Sequence, residues 1–247
     1  IVTARDGFVI AFNKTELQNR VLQFQNLQGL PDEVLAQAYD LKDKAGWSVA
    51  TARKKVQADV NAQSKIYPIL YRPFDVRYIF YHEAVIERPR PEVMRHMLAG
   101  ENLGLLLPRR VEHVGTWQHA FITPHITEHV AVSLKTIDYH FPLYLYPSAE
   151  SPNAFHQVRR PNLAEWLLPK LSTAYGFTPA PEEVLAYIYA VLYSPTYRQK
   201  YAQELRTDFP RVPFTADGDL FRQMAALGQR LIALHLLQSP ELNPPVA

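Results

Sequence analysis

The stretch KIYPILYRPFDVRYIFY, residues 65–81, decides the fold class, because the pattern of the chain changes there. It contains two short runs, KIYPILY and VRYIFY, that are rich in β-branched and aromatic side chains and are separated by a proline and polar residues. Such runs favour β-strands, and proline with polar residues favours the turn between them. The stretch therefore predicts strands.

Further strands are predicted downstream of this stretch. The runs LGLLLP, HAFIT, HVAVSL and FPLYLY have the same β-branched and aromatic character, and they end at residue 146. A short helix is predicted to interrupt the strands at about residues 91–99, where Pro91 lies in the first turn and Glu92 lies beside the positive end of the helix. The centre of the chain is thus rich in strands.

Helical patterns flank this centre on both sides. Before it we expect three helices, the first after a Thr15 cap, the second from Pro31 and the third after a Ser48 cap. After it, four segments that begin near residues 162, 181, 194 and 218 have apolar residues at helical spacing. The sequence therefore predicts an α+β fold with N-terminal helices, a central strand-rich region of mixed or antiparallel sheet, and a C-terminal helical block.

The composition excludes several classes of protein. The 247 residues contain no apolar run of about 18 residues and no signal peptide, so we exclude a membrane protein and expect a cytoplasmic location. The absence of cysteine removes thiolate zinc sites, disulfides and cysteine nucleophiles. Because 26 basic residues nearly match 24 acidic ones, the net charge of +2 does not by itself indicate a nucleic-acid partner.

A zinc-binding signature is present in HITEH, residues 125–129, which has the order H-x-x-E-H of the inverzincin metalloproteases. The signature needs a helix, in which residues four apart lie about 6 Å from each other. Here Pro124 precedes the segment and β-branched residues surround it, which favours a strand that separates His125 and His129 by about 13 Å. We interpret both histidines as polar residues of a half-exposed strand, and a zinc-dependent hydrolase is a minor alternative.

Other catalytic fingerprints are missing from the sequence. It contains no G-x-S-x-G, no P-loop and no G-x-G-x-x-G. The tail Asn243-Pro244-Pro245-Val246 matches part of the N-P-P-aromatic motif of amino-methyltransferases, but valine cannot stack on a base as an aromatic ring does. We therefore predict no catalytic residue, no metal site and no cofactor in this chain.

Arginines interleaved with aromatic residues are the main functional signal. Guanidinium groups bind phosphates and guanine edges, while aromatic rings pack or stack, so this pattern suits a surface that binds duplex DNA. The segment PRRVEHVGTWQHAF, residues 108–121, is long and polar, as functional loops often are. Asp75 and Arg77 equally fit an ion pair that holds a turn, and that alternative stays open. The predicted DNA-binding residues are Arg72, Arg77, Arg88, Arg90 and Arg95, mostly against phosphates, and Arg109, Arg110, His113, Trp117, Gln118 and His119, near the major groove.

Several segments resemble the C-terminal specificity domain of type ISP restriction-modification enzymes, which are single-polypeptide, type I-like enzymes. These segments are ILYRPFDVRYIFY (69–81), IERPRPEVMRHMLAGENLGLL (86–106), FPLYLYP (141–147), EEVLAYIYAVLYSPTYRQKYAQELRTDFPRVPF (182–214) and LIALH (231–235). The opening TARDGFVI is similar to the join from the methyltransferase module of such enzymes, so we expect the chain to be a piece of a longer polypeptide.

The resemblance implies a target-recognition domain that binds double-stranded DNA and reads its sequence for an upstream adenine-N6 methyltransferase module. That module is expected to bind S-adenosylmethionine, and translocase and nuclease modules accompany it in full-length enzymes of the family. Residues 1–64 would form a helical spacer after the methyltransferase, residues 65–150 the DNA-recognition region, and residues 151–247 a helical region packed as one unit with the rest. The alternative is a structural module that docks onto its neighbours in the same polypeptide.

Overall fold

The computed structural model describes residues 1–112, 115–147 and 158–243. The chain divides into unit 1, residues 1–94 and 125–129, and unit 2, residues 95–124 and 130–247. The prediction of an α+β fold with mixed and antiparallel sheets is confirmed. The functional division at residues 64 and 150 stays a prediction. No helix of the described ranges is both long and apolar enough to cross a bilayer.

Unit 1 contains helices and a four-stranded sheet of order β1-β3-β2-β6. Strands β2 and β3 form an antiparallel hairpin, β1 pairs antiparallel with β3, and β6 pairs parallel with β2. The strands are β1 (Ile10–Ala11), β2 (Ile66–Arg72), β3 (Asp75–Phe80) and β6 (Ile126–Thr127). The helices are α1 (Asp6–Val9), α2 (Lys14–Gln25), α3 (Asp32–Ala38) and α4 (Val49–Ala58), with a 3₁₀ turn at Ala62–Ser64, and α5 (Pro91–Leu98) contains the boundary between the units.

Of the two N-terminal caps predicted in unit 1, Thr15 and Ser48, one is confirmed. Ser48 caps α4 as predicted, since its hydroxyl accepts a hydrogen bond from the Thr51 amide at 3.2 Å. The prediction of a Thr15 cap for α2 is wrong. Asn13 takes that place, because its side-chain oxygen accepts from the amides of Thr15 and Glu16 at 2.8 and 3.3 Å.

Two buried arginines hold the helices of unit 1. The Arg20 guanidinium donates to the carbonyl oxygens of three residues around α1 and β1, at 2.8–3.0 Å. Arg53 donates to three carbonyl oxygens between α2 and α3 and forms an ion pair with Asp32. Both side chains are buried and donate to backbone acceptors that are buried or partly buried, so they belong to the scaffold.

Unit 2 combines a three-stranded antiparallel sheet of order β5-β4-β7, a small hairpin and a helical block. The strands are β4 (Gly104–Pro108), β5 (Phe121–Thr123), β7 (Asp138–Pro142), β8 (Tyr144–Leu145) and β9 (Arg160–Pro161). The helices are α6 (Leu167–Tyr175), α7 (Pro181–Tyr193), α8 (Pro195–Lys200), α9 (Glu204–Thr207) and α10 (Gly218–His235), and a 3₁₀ turn follows at Pro240–Leu242. The core lies between α7, α10 and the sheet.

One predicted strand is absent. The prediction that HVAVSL, residues 129–134, forms a strand is wrong, because turns and bends occupy this segment. Backbone amides in and after this segment form local hydrogen bonds. The Val132 amide donates to the Asp138 carboxylate at 2.7 Å, and the Thr136 amide donates to the Ser133 carbonyl at 3.2 Å. Such local bonds compete with a strand ladder.

Buried and half-buried histidines should make the stability of the fold depend on pH. Burial lowers the pKa of these side chains, and for His140 to about 3. In the unfolded chain they titrate near 6.5, so below that pH the unfolded state binds more protons than the folded state. Stability is therefore complete above pH 7 and is lost as the pH falls through 6.5. The histidines with a lowered pKa are His82, His96, His125, His140 and His235.

We expect the free energy of unfolding to be lower at pH 5 than at pH 7.5 by about 2 kcal/mol, from urea titrations at both values. The range from pH 7.5 to 8.5 is the control, since histidine does not titrate there and stability should change little. Equal stability at pH 5 and 7.5 would contradict the burial of these side chains in neutral form.

Candidate nucleic-acid interface

The turn between β2 and β3 places Arg77 beside two aromatic rings. The Arg77 guanidinium carbon lies 4.1 Å from the ring centre of Phe12 and 4.0 Å from that of Tyr71. Phe74, in the turn, has a φ of 64° and is 54% exposed, while Phe12 is 71% exposed. The turn therefore presents aromatic surface to solvent.

Carboxylates compensate the arginine charges at this turn. Arg77 donates to both carboxylate oxygens of Asp75 at 2.7–3.0 Å, and this hydrogen bonding raises the pKa of Arg77. Arg72 lies 3.4 Å from the Glu128 carboxylate and also donates to the Tyr71 carbonyl. The ion pair proposed for Asp75 and Arg77 is thus present, and a DNA phosphate would have to compete with it.

Two further predicted arginines of unit 1 lie before and at the start of α5. Arg88 is exposed, and its backbone amide and carbonyl pair with those of Val2 at 3.0 Å. Arg90 is exposed and lies 4.0 Å from the Glu92 carboxylate, which is a weak surface pair. The side chains of Arg88 and Arg90 are therefore accessible to a large ligand.

The HITEH segment forms part of the sheet of unit 1 and is not helical. Ile126 and Thr127 form β6, which confirms a strand in this segment. Both are buried, so the prediction of a half-exposed strand is wrong, while His125 and His129 are half-buried. Glu128 is buried, and its carboxylate contacts Arg72 and the His129 imidazole. In the described ranges, no group of three or more histidines and carboxylates is placed to hold a metal ion. Glu128 thus has a structural role in orienting Arg72.

The polar segment 108–121 of unit 2 is tied down at several points. The Val111 amide donates to the Arg206 carbonyl at 3.0 Å, and the Arg206 guanidinium donates to the Gly115 carbonyl at 2.7 Å. Near its end, the Tyr193 hydroxyl donates to the Ala120 carbonyl at 2.6 Å. Segment 108–121 is therefore positioned by α7 and α9.

The predicted base-contacting residues of segment 108–121 differ in accessibility. Arg110 and Gln118 are exposed, and His119 is half-buried. Arg109 is exposed but lies 3.3 Å from the Asp208 carboxylate. His113 lies outside the described residues. Arg110 and Gln118 are thus the most accessible donors of this segment.

Trp117 is buried, with only 3% of its surface exposed. Its ring belongs to the hydrophobic core of unit 2, 6.1 Å from the His119 ring and 5.7 Å from the Arg198 guanidinium. This position favours a role in anchoring segment 108–121 over a direct contact with a partner.

Arg95 lies in a basic cluster of unit 2 that sequence reasoning found only in part. Its guanidinium donates to the Tyr146 carbonyl at 3.1 Å. Arg159 lies in the same cluster, since it donates to the Tyr146 hydroxyl at 3.3 Å, and Arg160 begins β9. The signal was available in the dipeptide Arg159-Arg160, but the two-residue strand β9 gives too short a pattern to be recognised.

Comparison with known proteins gives one family match and several similar solved structures. The sequence model of the type ISP C-terminal specificity domain family matches residues 1–246. The chain is also similar to the DrdV–DNA complex solved by cryo-electron microscopy, with 27% identity over 96% of this chain and a TM-score of 0.70. No curated protein matches the sequence.

Two other solved structures share the fold. ATP-dependent type ISP enzyme LlaBIII, bound to DNA, is 20% identical with a TM-score of 0.66. A nuclease-deletion mutant of the type ISP enzyme LlaGI, in complex with a DNA substrate mimic, is 19% identical with a TM-score of 0.63. Both likenesses cover 96% of this chain. The chain spans only 22%, 18% and 15% of the DrdV, LlaGI and LlaBIII chains, respectively.

Proposed function

This chain belongs to the family of type ISP C-terminal specificity domains, and we propose that it binds double-stranded DNA and reads the target sequence for a larger restriction-modification enzyme. The observation that carries the proposal is the family match over residues 1–246, supported by the DNA bound in the structures of DrdV, LlaGI and LlaBIII. Adenine-N6 methyl transfer and S-adenosylmethionine binding would reside in a methyltransferase module of the same polypeptide.

Sequence reading is assigned to the exposed donors of segment 108–121. Arg110 can donate two parallel hydrogen bonds to a guanine edge, and the Gln118 amide can pair with an adenine edge. Hydrogen bonds to α7 and α9 hold Val111, Gly115 and Ala120 in place before DNA binds, which lowers the entropy lost on binding at these residues. Trp117 contributes by anchoring segment 108–121 in the core.

Phosphate contacts are assigned to the exposed arginines of unit 1. Arg88 and Arg90 are accessible, and only a weak pair with Glu92 competes for Arg90. Arg72 and Arg77 would reach a phosphate only by sharing their hydrogen bonds with Glu128 and Asp75. We therefore rank Arg88 and Arg90 above Arg72 and Arg77 as backbone contacts.

Replacing Arg110 and Arg90 separately should distinguish recognition of the bases from binding of the phosphate backbone. Arg110→Ala is expected to weaken binding to the target sequence by about 1–3 kcal/mol and to leave non-target binding nearly unchanged. Arg90→Ala should weaken binding to all duplexes and lower the salt dependence of the affinity. Fluorescence anisotropy with the intact polypeptide, on target and scrambled duplexes at several salt concentrations, measures both effects.

Arg230→Ala is the control for these variants, because Arg230 is an exposed arginine already paired with Glu241 at 2.5–2.8 Å. It should bind both duplexes as the parent does. Salt-independent binding by the parent, or no binding to any duplex, would refute the proposed function.

Docking onto neighbouring modules is a second candidate function for the helical block. The observation that favours it is the exposure of several large apolar side chains of this block, which a partner surface would bury. If charge-neutral variants of the predicted arginines keep sequence recognition while substitutions on this surface dissociate the modules, docking is the better description. The exposed side chains are Trp166, Leu220, Leu227, Leu237 and Leu242.

A further inference from the structure

Three arginines of unit 2 gather around the end of β8 and the C-terminal half of α5. Arg159 donates to the Glu101 carbonyl at 2.7 Å and to the Tyr146 hydroxyl at 3.3 Å, and its guanidinium carbon lies 4.0 Å from the ring centre of Tyr144. Arg95 donates to the Tyr146 carbonyl at 3.1 Å. Arg160 pairs with Leu145 across the β8–β9 hairpin. We call Arg95, Arg159 and Arg160 the Tyr146 cluster.

The side chain of Tyr146 is held in place within this cluster. Its hydroxyl donates to the Glu101 carbonyl at 2.6 Å, and its backbone amide donates to the His96 imidazole at 2.9 Å. Gly100 leaves the space for the ring, since a β-carbon at this position would lie 2.7 Å from the Tyr146 hydroxyl. The cluster is therefore built on a fixed support.

The contacts of Arg95 and Arg159 differ from those of three other predicted DNA-binding arginines. Arg72, Arg77 and Arg109 contact carboxylates, whereas the described hydrogen bonds of Arg95 and Arg159 go to carbonyl oxygens and a hydroxyl. These neutral acceptors orient a guanidinium without cancelling its charge.

An independent observation supports a positive potential at the cluster. The pKa of His96 is lowered by burial and, in addition, by the charges of Arg95 and Arg160. Glu182 lies beside the cluster, since its carboxylate accepts a hydrogen bond from the Tyr144 hydroxyl at 2.6 Å. Hydrogen bonding to Tyr146 and, less strongly, the charge of Glu182 raise the pKa of Arg159. The cluster thus combines a rigid support with guanidinium groups that form no ion pair among the described contacts.

We propose that Arg95, Arg159 and Arg160 form a binding site for the phosphate backbone of DNA, organised by Tyr146. The inference rests on the proposed function and deepens it, because it assigns sequence-independent binding of the DNA backbone to side chains of unit 2 outside segment 108–121. The fixed guanidinium groups of Arg95 and Arg159 keep N–H groups that the described contacts do not use, and phosphate oxygens are their natural acceptors. The exposed Arg160 adds a positive charge beside them. Base edges are a poorer match, since the acceptors that fix the cluster leave it little freedom to enter a groove.

Neutralising the cluster in the intact polypeptide tests the proposal. The double variant R159Q/R160Q is expected to lower the affinity for target and scrambled duplexes equally, roughly fivefold per arginine, and to reduce the slope of log affinity against log salt by about 0.9 per lost contact. Arg159→Lys keeps the charge and should retain most of the salt slope. Gly100→Ala should lower affinity for both duplexes by displacing Tyr146.

Arg222→Gln is the matched control, because Arg222 is exposed and lies 3.2 Å from the Asp219 carboxylate. It should bind as the parent does, and circular dichroism checks that every variant is folded. An R159Q/R160Q protein with the parent's affinity and salt slope would overturn this site alone, leaving the proposed function intact. A loss confined to the target duplex would overturn the backbone assignment. A parent that binds no duplex would overturn both proposals.

Discussion

Replacing Arg53 with alanine should destabilise unit 1 by about 4 kcal/mol, one of the largest effects expected of a single substitution in this chain. The Arg53 side chain is 2% exposed. It donates to the carbonyl oxygens of Phe24, Leu30 and Asn26 at 2.7–3.0 Å and pairs with Asp32. Alanine would leave these acceptors without their donor and would open a cavity between α2, α3 and α4.

Urea unfolding monitored by circular dichroism measures this effect. Arg53→Met separates its two causes, since methionine fills much of the volume but donates no hydrogen bond, and it should still cost about 2–3 kcal/mol. Lys54→Ala is the control, because Lys54 is the exposed neighbour on the same helix and should change stability by less than about 0.5 kcal/mol. A cost below 1 kcal/mol for Arg53→Ala would contradict its role in the scaffold.

Replacing Gly228 with valine should destabilise unit 2 by about 3 kcal/mol or more. Gly228 lies where α10 packs against α7, and a β-carbon there would lie 1.9 Å from the Ala186 carbonyl oxygen. Because the obstruction is backbone, no side-chain rotation relieves it, and the two helices must separate. Tyr193 of α7 donates to the Ala120 carbonyl, so this separation should also disturb the end of segment 108–121.

The matched control for Gly228→Val is Ala226→Val, which adds methyl groups to an exposed position of the same helix. It should cost only about 0.5 kcal/mol, through helix propensity. Thermal unfolding of both variants decides the comparison, with DNA binding measured at a temperature at which the variants remain folded. Equal melting temperatures for the two variants would contradict the close packing of α7 on α10.

Sequence patterns predict a helix or strand correctly where the composition of the segment itself determines its conformation. Strands β2 and β3 are rich in β-branched and aromatic residues, and their prediction is confirmed. The segment HVAVSL has the same composition, but hydrogen bonds to Asp138 and Ser133 hold it in turns. The choice of Asn13 over Thr15 as a cap likewise depends on where the backbone turns into the helix, which composition does not specify.

The chemistry of the candidate interface could be predicted from residue type, but its electrostatics could not. Arginine-rich segments indicated a DNA-binding surface, and the resemblance to type ISP enzymes indicated the same partner. Whether each arginine keeps its charge available depends on contacts distant in sequence, such as that of Arg109 with Asp208. Asp75 and Arg77 are two residues apart, and the ion pair between them is one of the two alternatives that the sequence leaves open.

The most direct test of the central claim is a selection of duplexes from a random DNA library by the intact polypeptide and by the same polypeptide lacking residues 1–246 of this domain. If the domain reads DNA for its catalytic neighbour, the intact polypeptide enriches one sequence motif and the truncated polypeptide enriches none. Enrichment of the same motif by a folded truncated polypeptide would contradict the claim, because sequence recognition would then reside elsewhere.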